Sequence, residues 1–514
     1  MKPEIISLTL NKMVNHKHLR KLLAKKIDDY LYKSIVNDDS EDLRQVQIKR
    51  YQFFSSMLHC VMKNVNKGYI SREIIRKIID VLVKNNLICE DQSYYQAVEK
   101  FEEKYGEPPP SFIVFSPTQI CNLKCPGCYA DSAVDTSATV PYSYVDRVVG
   151  EIHDCWGCRF ITVSGGEPFM YRSEGKTLLD IFKKYNDMFF LVYTNGTLFD
   201  EKIAAGLAET ANVTPAISVE GFEKQTDERR GPGIHKKILR AFECLRQAGI
   251  PFGISATATS KNVDIMLTDE FYEYYFEKQG ACYMWQFQLM PIGRGKDEMD
   301  LMVTPEQRLT LYRKWEKLLS EKKYCLADFW NSGVLTRGCI AYGRSGGYVY
   351  IDWHGNVTPC AFIPYYVDNI FDLYNSGKTL SDALFSDFMK NGRKWQREYG
   401  LDNWKKPKNW LMPCSIRDHY EIFRNSVLPK EAKPEDEKAR EALESGEYFE
   451  ILKNYDEELQ YLTERIWETE YLNKRPVSQQ TRQGEGQARV PILQVLFRNN
   501  PSKQQKQEPV KYEP

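Results

Sequence analysis

The chain has 514 residues, too many for one hydrophobic core, so two to four domains are expected. Its 70 Lys and Arg balance 70 Asp and Glu, which excludes a strong global basic field and leaves no nucleic-acid partner to expect. Charged residues at 27% and aromatics at 13% exclude a chain that is disordered throughout or fibrous. No apolar run reaches the roughly 18–20 residues of a transmembrane segment. The amino-terminal MKPEIISLTLNKMVNHK lacks the basic-then-apolar pattern of a secretion signal, so a cytoplasmic protein is expected.

Residues 1–110 read as a helical amino-terminal domain. Between Ser71 and Asn86, Ile74, Ile75, Ile78, Ile79 and Leu82 fall on one helical face, and Gly106-Glu107-Pro108-Pro109-Pro110 marks the boundary. Residues 111–300 alternate strands and helices, with strands expected at 112–119, 160–164, 189–194, 214–219, 252–259 and 283–290. Six such βα units without a seventh and eighth define an α/β fold, an open partial (β/α)6 TIM-like barrel. Its functional groups belong at the carboxyl ends of the strands.

Residues 301–428 begin with the capping box Thr304-Pro305-Glu306-Gln307, which opens a helix to about Lys322, and continue into an irregular region rich in Gly, Trp and Tyr. Residues 429–473 are charged and helical in pattern. Residues 474–514 are rich in Gln, Pro and Lys and read as disordered, apart from an apolar island at 490–497.

Thirteen cysteines, an odd number spread over a long chain, do not read as a secreted disulfide scaffold. With seven histidines, metal chemistry would rest on thiolates. Cys121, Cys125 and Cys128 lie within eight residues, with Pro126 and Gly127 between them, directly after the first expected strand. Inert core thiols fit poorly, because successive loop residues cannot all face a core. Zinc is a rival, although no nearby His or Cys supplies a natural fourth ligand. A [4Fe–4S] cluster, normally held by four thiolates, would here keep one iron open for a small ligand.

The segment CNLKCPGCY resembles the CxxxCxxC loop of the radical S-adenosylmethionine (SAM) superfamily, and Ser164-Gly165-Gly166-Glu167-Pro168 is similar to its GGEP motif. The family commonly carries an aromatic residue where Gly127 stands, with an aromatic such as Tyr129 following. The resemblance implies a cluster on Cys121, Cys125 and Cys128, with SAM chelating the fourth iron. One electron would then cleave SAM to a 5′-deoxyadenosyl radical that abstracts a substrate hydrogen. It further implies Gly165, Gly166 and Glu167 at the methionyl end of SAM, with Asn195, Ser218 and Arg230 as further cofactor contacts, and Glu220 where relatives carry Asp. An external one-electron donor of flavodoxin or ferredoxin type would be the partner.

Cys339 and Cys360 flank an expected hairpin with Gly355 in its turn, and Cys414 follows downstream. Fifteen residues, Gly, four residues, Cys resembles the opening of the SPASM and Twitch domains of the same superfamily. That implies one auxiliary [4Fe–4S] cluster on Cys339, Cys360 and Cys414, its fourth position falling to Cys325, to substrate or to none. Cys155-Trp-Gly-Cys158 has redox spacing but no partners, and Cys60, Cys89, Cys244 and Cys282 read as core thiols. Trp353, Tyr365 and Tyr366 would line an apolar site or pack a small core. The expected activity is radical hydrogen abstraction from a peptide or protein. The same chemistry on a lipid, isoprenoid or cofactor precursor stays open, as do an electron-transfer protein and a zinc-binding protein.

Overall fold

The structure is a computed structural model that describes residues 18, 20–37, 42–82, 92–403 and 406–472. Cys89, the apolar island at 490–497 and the tail at 474–514 lie outside the described residues.

Strands β1 (Phe112–Phe115), β2 (Phe160–Val163), β3 (Phe189–Thr194), β4 (Val213–Val219), β5 (Gly253–Ala258) and β6 (Met284–Gln288) pair in chain order, all parallel. β7 (Leu326–Asp328) extends the sheet beyond β6. At the other edge β8 (Tyr348–Ile351) pairs parallel with β1 and turns back into antiparallel β9 (Asn356–Thr358). The hairpin expected in a separate small domain is thus continuous with the barrel sheet. Gly355 turns it in the left-handed region, at φ 78°. A second pair, β10 (Tyr365–Tyr366) with β12 (Lys433–Pro434), stands apart from this sheet, and β11 (Asp368–Asn369) closes the edge at β9.

Alternation sorts the strands into two faces. Ile113, Phe115, Ile161 and Val163 point outward, beneath the helix Tyr142–Cys155, whose Val145, Val148, Val149 and Ile152 are buried. The inner face is aromatic. Tyr193 of β3 meets Phe287 of β6 edge-on with centroids 5.6 Å apart, although β4 and β5 lie between them. A flat sheet would separate those strands by about 14 Å at ~4.8 Å per strand. The sheet is therefore curled, and the chain is an α/β protein built on a partial TIM-like barrel.

The amino-terminal helices dock on this body. Ser71 caps the helix Arg72–Ile78 through its hydroxyl, which accepts from the Ile74 amide, and Ile74, Ile75 and Ile79 form the buried face. From the helix Arg44–Lys67, Arg50 donates to the Leu335 carbonyl at 2.8 Å, and Asp42 bridges Arg50 and Arg337. This helical layer therefore braces the stretch leading to Cys339. The helix Pro305–Lys317 opens with the expected capping box at Thr304. No helix among the described residues is long and apolar enough to cross a membrane.

The helix Gly446–Ile466 closes the carboxyl side, burying Tyr448, Leu452, Tyr455, Leu459 and Thr463 at helical spacing. On it, Asp456 accepts from the Tyr420 amide at 2.7 Å through one oxygen, while the other oxygen is buried without a partner. Burial raises its pKa to about 8. A carboxyl whose folded pKa lies above its unfolded value keeps its proton only when folded, so stability falls as pH rises between the two. Between pH 5 and 8 the unfolding free energy of the wild type should fall faster than that of Asp456→Asn, by up to about 1.4 kcal/mol per pH unit. Denaturant titrations of both proteins across that range check this.

Candidate active site

The loop after β1 is held from three sides. The Cys121 amide donates to the Ala133 carbonyl at 3.1 Å. Arg294, just beyond β6, donates its backbone amide to the Cys128 carbonyl at 3.1 Å and its Nε to the Cys125 carbonyl at 3.0 Å. Its remaining nitrogens take Asp131 and the Ser132 carbonyl, and Arg229 donates to the Pro126 carbonyl at 3.2 Å. Gly127 has φ 64°, and a Cβ there would stand 2.5 Å from Leu289 Cδ1. A side chain at this position would be strained by the left-handed backbone and would need Leu289 to shift.

The glycines after β2 serve this loop directly. A Cβ on Gly166 would lie 2.3 Å from the Ile120 carbonyl oxygen, and one on Gly165, at φ 109°, would lie 2.6 Å from that of Thr118. The close approach lets Gly166 donate to Thr118 and Glu167 to Ile120, both at 2.9 Å. The Glu167 side chain is engaged within the protein. Fully buried, it accepts from the Thr194 hydroxyl (2.7 Å), the Asn195 amide (2.8 Å) and the Phe169 amide (3.2 Å), so it seams β2 to β3. Burial raises its pKa against those donors. The side chain braces the turn.

Asn195 likewise orients the loop, its amide nitrogen reaching Asn122 at 2.8 Å and the Cys121 sulfur at 3.8 Å. Arg230 is engaged by Glu220, with Nε at 2.9 Å, and Glu220 also takes Arg229 at 2.7 Å. The Arg230 guanidinium is thus paired, and it stands within electrostatic range of Cys125. Ser218 meets Ser255 at 3.2 Å across β4 and β5 on the inner face.

Cys339, Cys360 and Cys414 come together, each within electrostatic range of the other two. Asp418 accepts from the Cys414 amide at 3.0 Å and is gripped by both terminal nitrogens of Arg308, at 2.5 and 3.0 Å, fully buried. Cys325 does not join them. Its amide lies 3.4 Å from the Cys60 sulfur, and its other thiol neighbour is Cys282, so it belongs to a core group beside β7. Cys155 and Cys158 diverge, one exposed and one buried against the Phe160 carbonyl. Trp353 and Tyr365 are core residues.

The thiols suit an iron–sulfur cluster in two respects. Cys121, Cys339 and Cys360 each accept from the backbone amide two residues on, at 3.4, 3.5 and 3.5 Å, the kind of donor that stabilises a cluster sulfur. Burial also pushes Cys121 and Cys360 up to about 12 and raises Cys125, Cys339 and Cys414, so these thiols ionise only against a bound cation. A zinc ion needs its ligands gathered within about 2.3 Å of one point. A cubane takes each thiolate on a different iron.

Between the two thiol sets lies an aromatic wall that sequence reasoning missed. Phe362, two residues past Cys360, has its ring 5.6 Å from Tyr129, 6.0 Å from Phe287, 5.2 Å from Phe329 and 5.0 Å from Trp330. Arg294 was missed too. Its signal was position, in Gly293-Arg294-Gly295 just past the carboxyl end of the sixth strand.

Residues 115–262 match the family model of the radical SAM superfamily, so the barrel carries a radical SAM domain. The chain is 26% identical over 292 residues to the AdoMet-dependent heme synthase of Methanosarcina barkeri (strain Fusaro / DSM 804), covering 51% of this chain and 79% of that protein. It is 26% identical over 338 residues to a cysteine-type anaerobic sulfatase-maturating enzyme of Clostridium perfringens (strain 13 / Type A), covering 58% and 87%. The solved structure of Streptococcus suis SuiB bound to S-adenosylmethionine aligns over 75% of this chain and 92% of that one, at 16% identity and TM-score 0.49. The match to the superfamily model covers less than a third of the chain, and the chemistry it brings to the site is that of a [4Fe–4S] cluster with SAM.

Gly166→Ala drives a methyl group into the Ile120 carbonyl and should lower the iron retained after anaerobic reconstitution to roughly half the wild-type level or less. Iron analysis alongside circular dichroism separates loss of the loop from loss of the fold.

Proposed function

We propose that Cys121, Cys125 and Cys128 hold the SAM cluster, and that Cys339, Cys360 and Cys414 hold an auxiliary [4Fe–4S] cluster. When bound, the first cluster supplies the electron that cleaves SAM to the 5′-deoxyadenosyl radical, which takes a hydrogen atom from the substrate. The observation that carries this reading is the set of three free thiols, Cys121 buried and Cys125 and Cys128 half-buried, in the loop after β1 within the segment that matches the radical SAM model.

The chain's own residues do the rest. Arg294, Asn195 and the glycine turn fix the loop, and the backbone of Gly165 and Gly166 faces the methionyl end of SAM with Glu167 behind it. Arg230 and Ser218 lie toward the remainder of SAM. Tyr193, Phe287, Phe329 and Phe362 wall the space between the thiol sets, excluding water from a substrate held there.

The substrate is a peptide or protein, a reading supported by the similarity to a sulfatase-maturating enzyme. A cofactor precursor is the second reading, favoured by the similarity to a heme synthase. The enzyme works in the cytoplasm with an external one-electron donor of flavodoxin or ferredoxin type.

Anaerobic protein reconstituted with iron and sulfide, then reduced with dithionite, should hold about eight irons per chain and release 5′-deoxyadenosine from SAM. Cys125→Ala should abolish the nucleoside. Cys414→Ala should keep it while iron falls to about four per chain. Nucleoside that survives Cys125→Ala refutes the assignment of the loop, and iron-rich protein that leaves SAM intact points to electron transfer instead.

A further inference from the structure

Tyr348 stands on the inner face of β8, and its hydroxyl oxygen lies 3.0 Å from the Cys360 sulfur, with both residues buried. Other buried tyrosines nearby find oxygen: Tyr350 donates to the Ser116 hydroxyl at 2.8 Å, and Tyr342 pairs with the Ser415 hydroxyl at 2.6 Å. Tyr348 is directed at sulfur instead. Its ring has little freedom to turn away, since it stacks on Phe112 with centroids 5.2 Å apart and planes 19° apart, and Phe112 is its register partner on β1.

In the metal-free protein either atom of the pair can donate. A cysteine bound to iron has no proton, so the phenol must then be the donor. Cys360 would receive two hydrogen bonds, from Tyr348 and from the Phe362 amide at 3.5 Å. Cys414, by contrast, has the Asp418 carboxylate beside it. Hydrogen bonds to cluster sulfurs favour the reduced, more anionic state, and burial strengthens them.

We propose that Tyr348 is a positioning residue whose hydroxyl donates to the Cys360 sulfur and raises the reduction potential of the auxiliary cluster. The proposal rests on the assignment of Cys339, Cys360 and Cys414 as that cluster's ligands. Because β1 sets the Tyr348 ring at one end and leads into the SAM-cluster loop at the other, one strand would then register both centres.

The test is a redox titration of the holoenzyme followed by electron paramagnetic resonance, comparing wild type with Tyr348→Phe, which keeps the ring and removes only the hydroxyl. The auxiliary midpoint should move to more negative potential while that of the SAM cluster stays in place. Iron–sulfur stretching bands in resonance Raman spectra should lose part of their sensitivity to D2O. Site-specific 3-fluorotyrosine at position 348, a stronger donor that preserves the packing, should move the same midpoint the other way. An unchanged auxiliary midpoint in both variants overturns the proposal. So does loss in Tyr348→Phe of a tyrosinate-to-iron charge-transfer band, which would make Tyr348 a ligand. A wild type with one cluster signal and about four irons would instead remove the auxiliary cluster, and the proposal with it.

Discussion

In the thiol loop after the first strand, burial raises the pKa of Cys121 and Cys125 and so opposes their ionisation. The chain places cations near only part of the set: Arg229 and Arg230 approach Cys125, and both are already engaged by Glu220. A buried thiolate without a counter-charge costs several kcal/mol. The loop is therefore built for a guest that brings positive charge and takes the sulfurs as anions. Much of the barrel's carboxyl end follows from that constraint: carbonyls of the loop face Arg294 and the glycine turn, and the Cys121 sulfur faces the Leu123 amide.

Glu167 shows how a motif side chain can hold a site together. Its carboxylate ties β2 to β3, and Asn195 at the end of β3 ties that seam to Cys121 and Asn122. The two glycines bring the strand end against the backbone of the thiol loop. Motif, strand ends and loop thus form one rigid unit. The second thiol set joins the same unit because β8 pairs with β1, and the aromatic wall fills the space between them. The amino-terminal helices act at a distance, bracing the Cys339 stretch through Asp42, Arg50 and Arg337.

Much of this was legible in the sequence, because it is written in local spacing. The six strands, the capping box at Thr304, the Gly355 turn and the spacing of Cys121, Cys125 and Cys128 each depend on residues close in the chain. What was not legible depends on contacts between distant segments. Nothing near Cys325 in sequence reveals that it sits with Cys60 and Cys282 rather than with Cys339. The continuity of the hairpin with the barrel, the pairing of Arg230 with Glu220 and the convergence of Phe287 with Phe362 are of the same kind. Trp353 and Tyr365 were a matter of burial, which aromatic composition alone does not decide.

The central claim is that the loop grips its cluster by three cysteines and keeps the remaining iron for SAM. Electron–nuclear double resonance of the reduced, oxygen-free enzyme with SAM labelled by 17O in its carboxylate reads that iron directly. A strong 17O coupling to the cluster is the predicted result. A cluster that shows no coupling and is already complete with a fourth protein ligand would contradict the account.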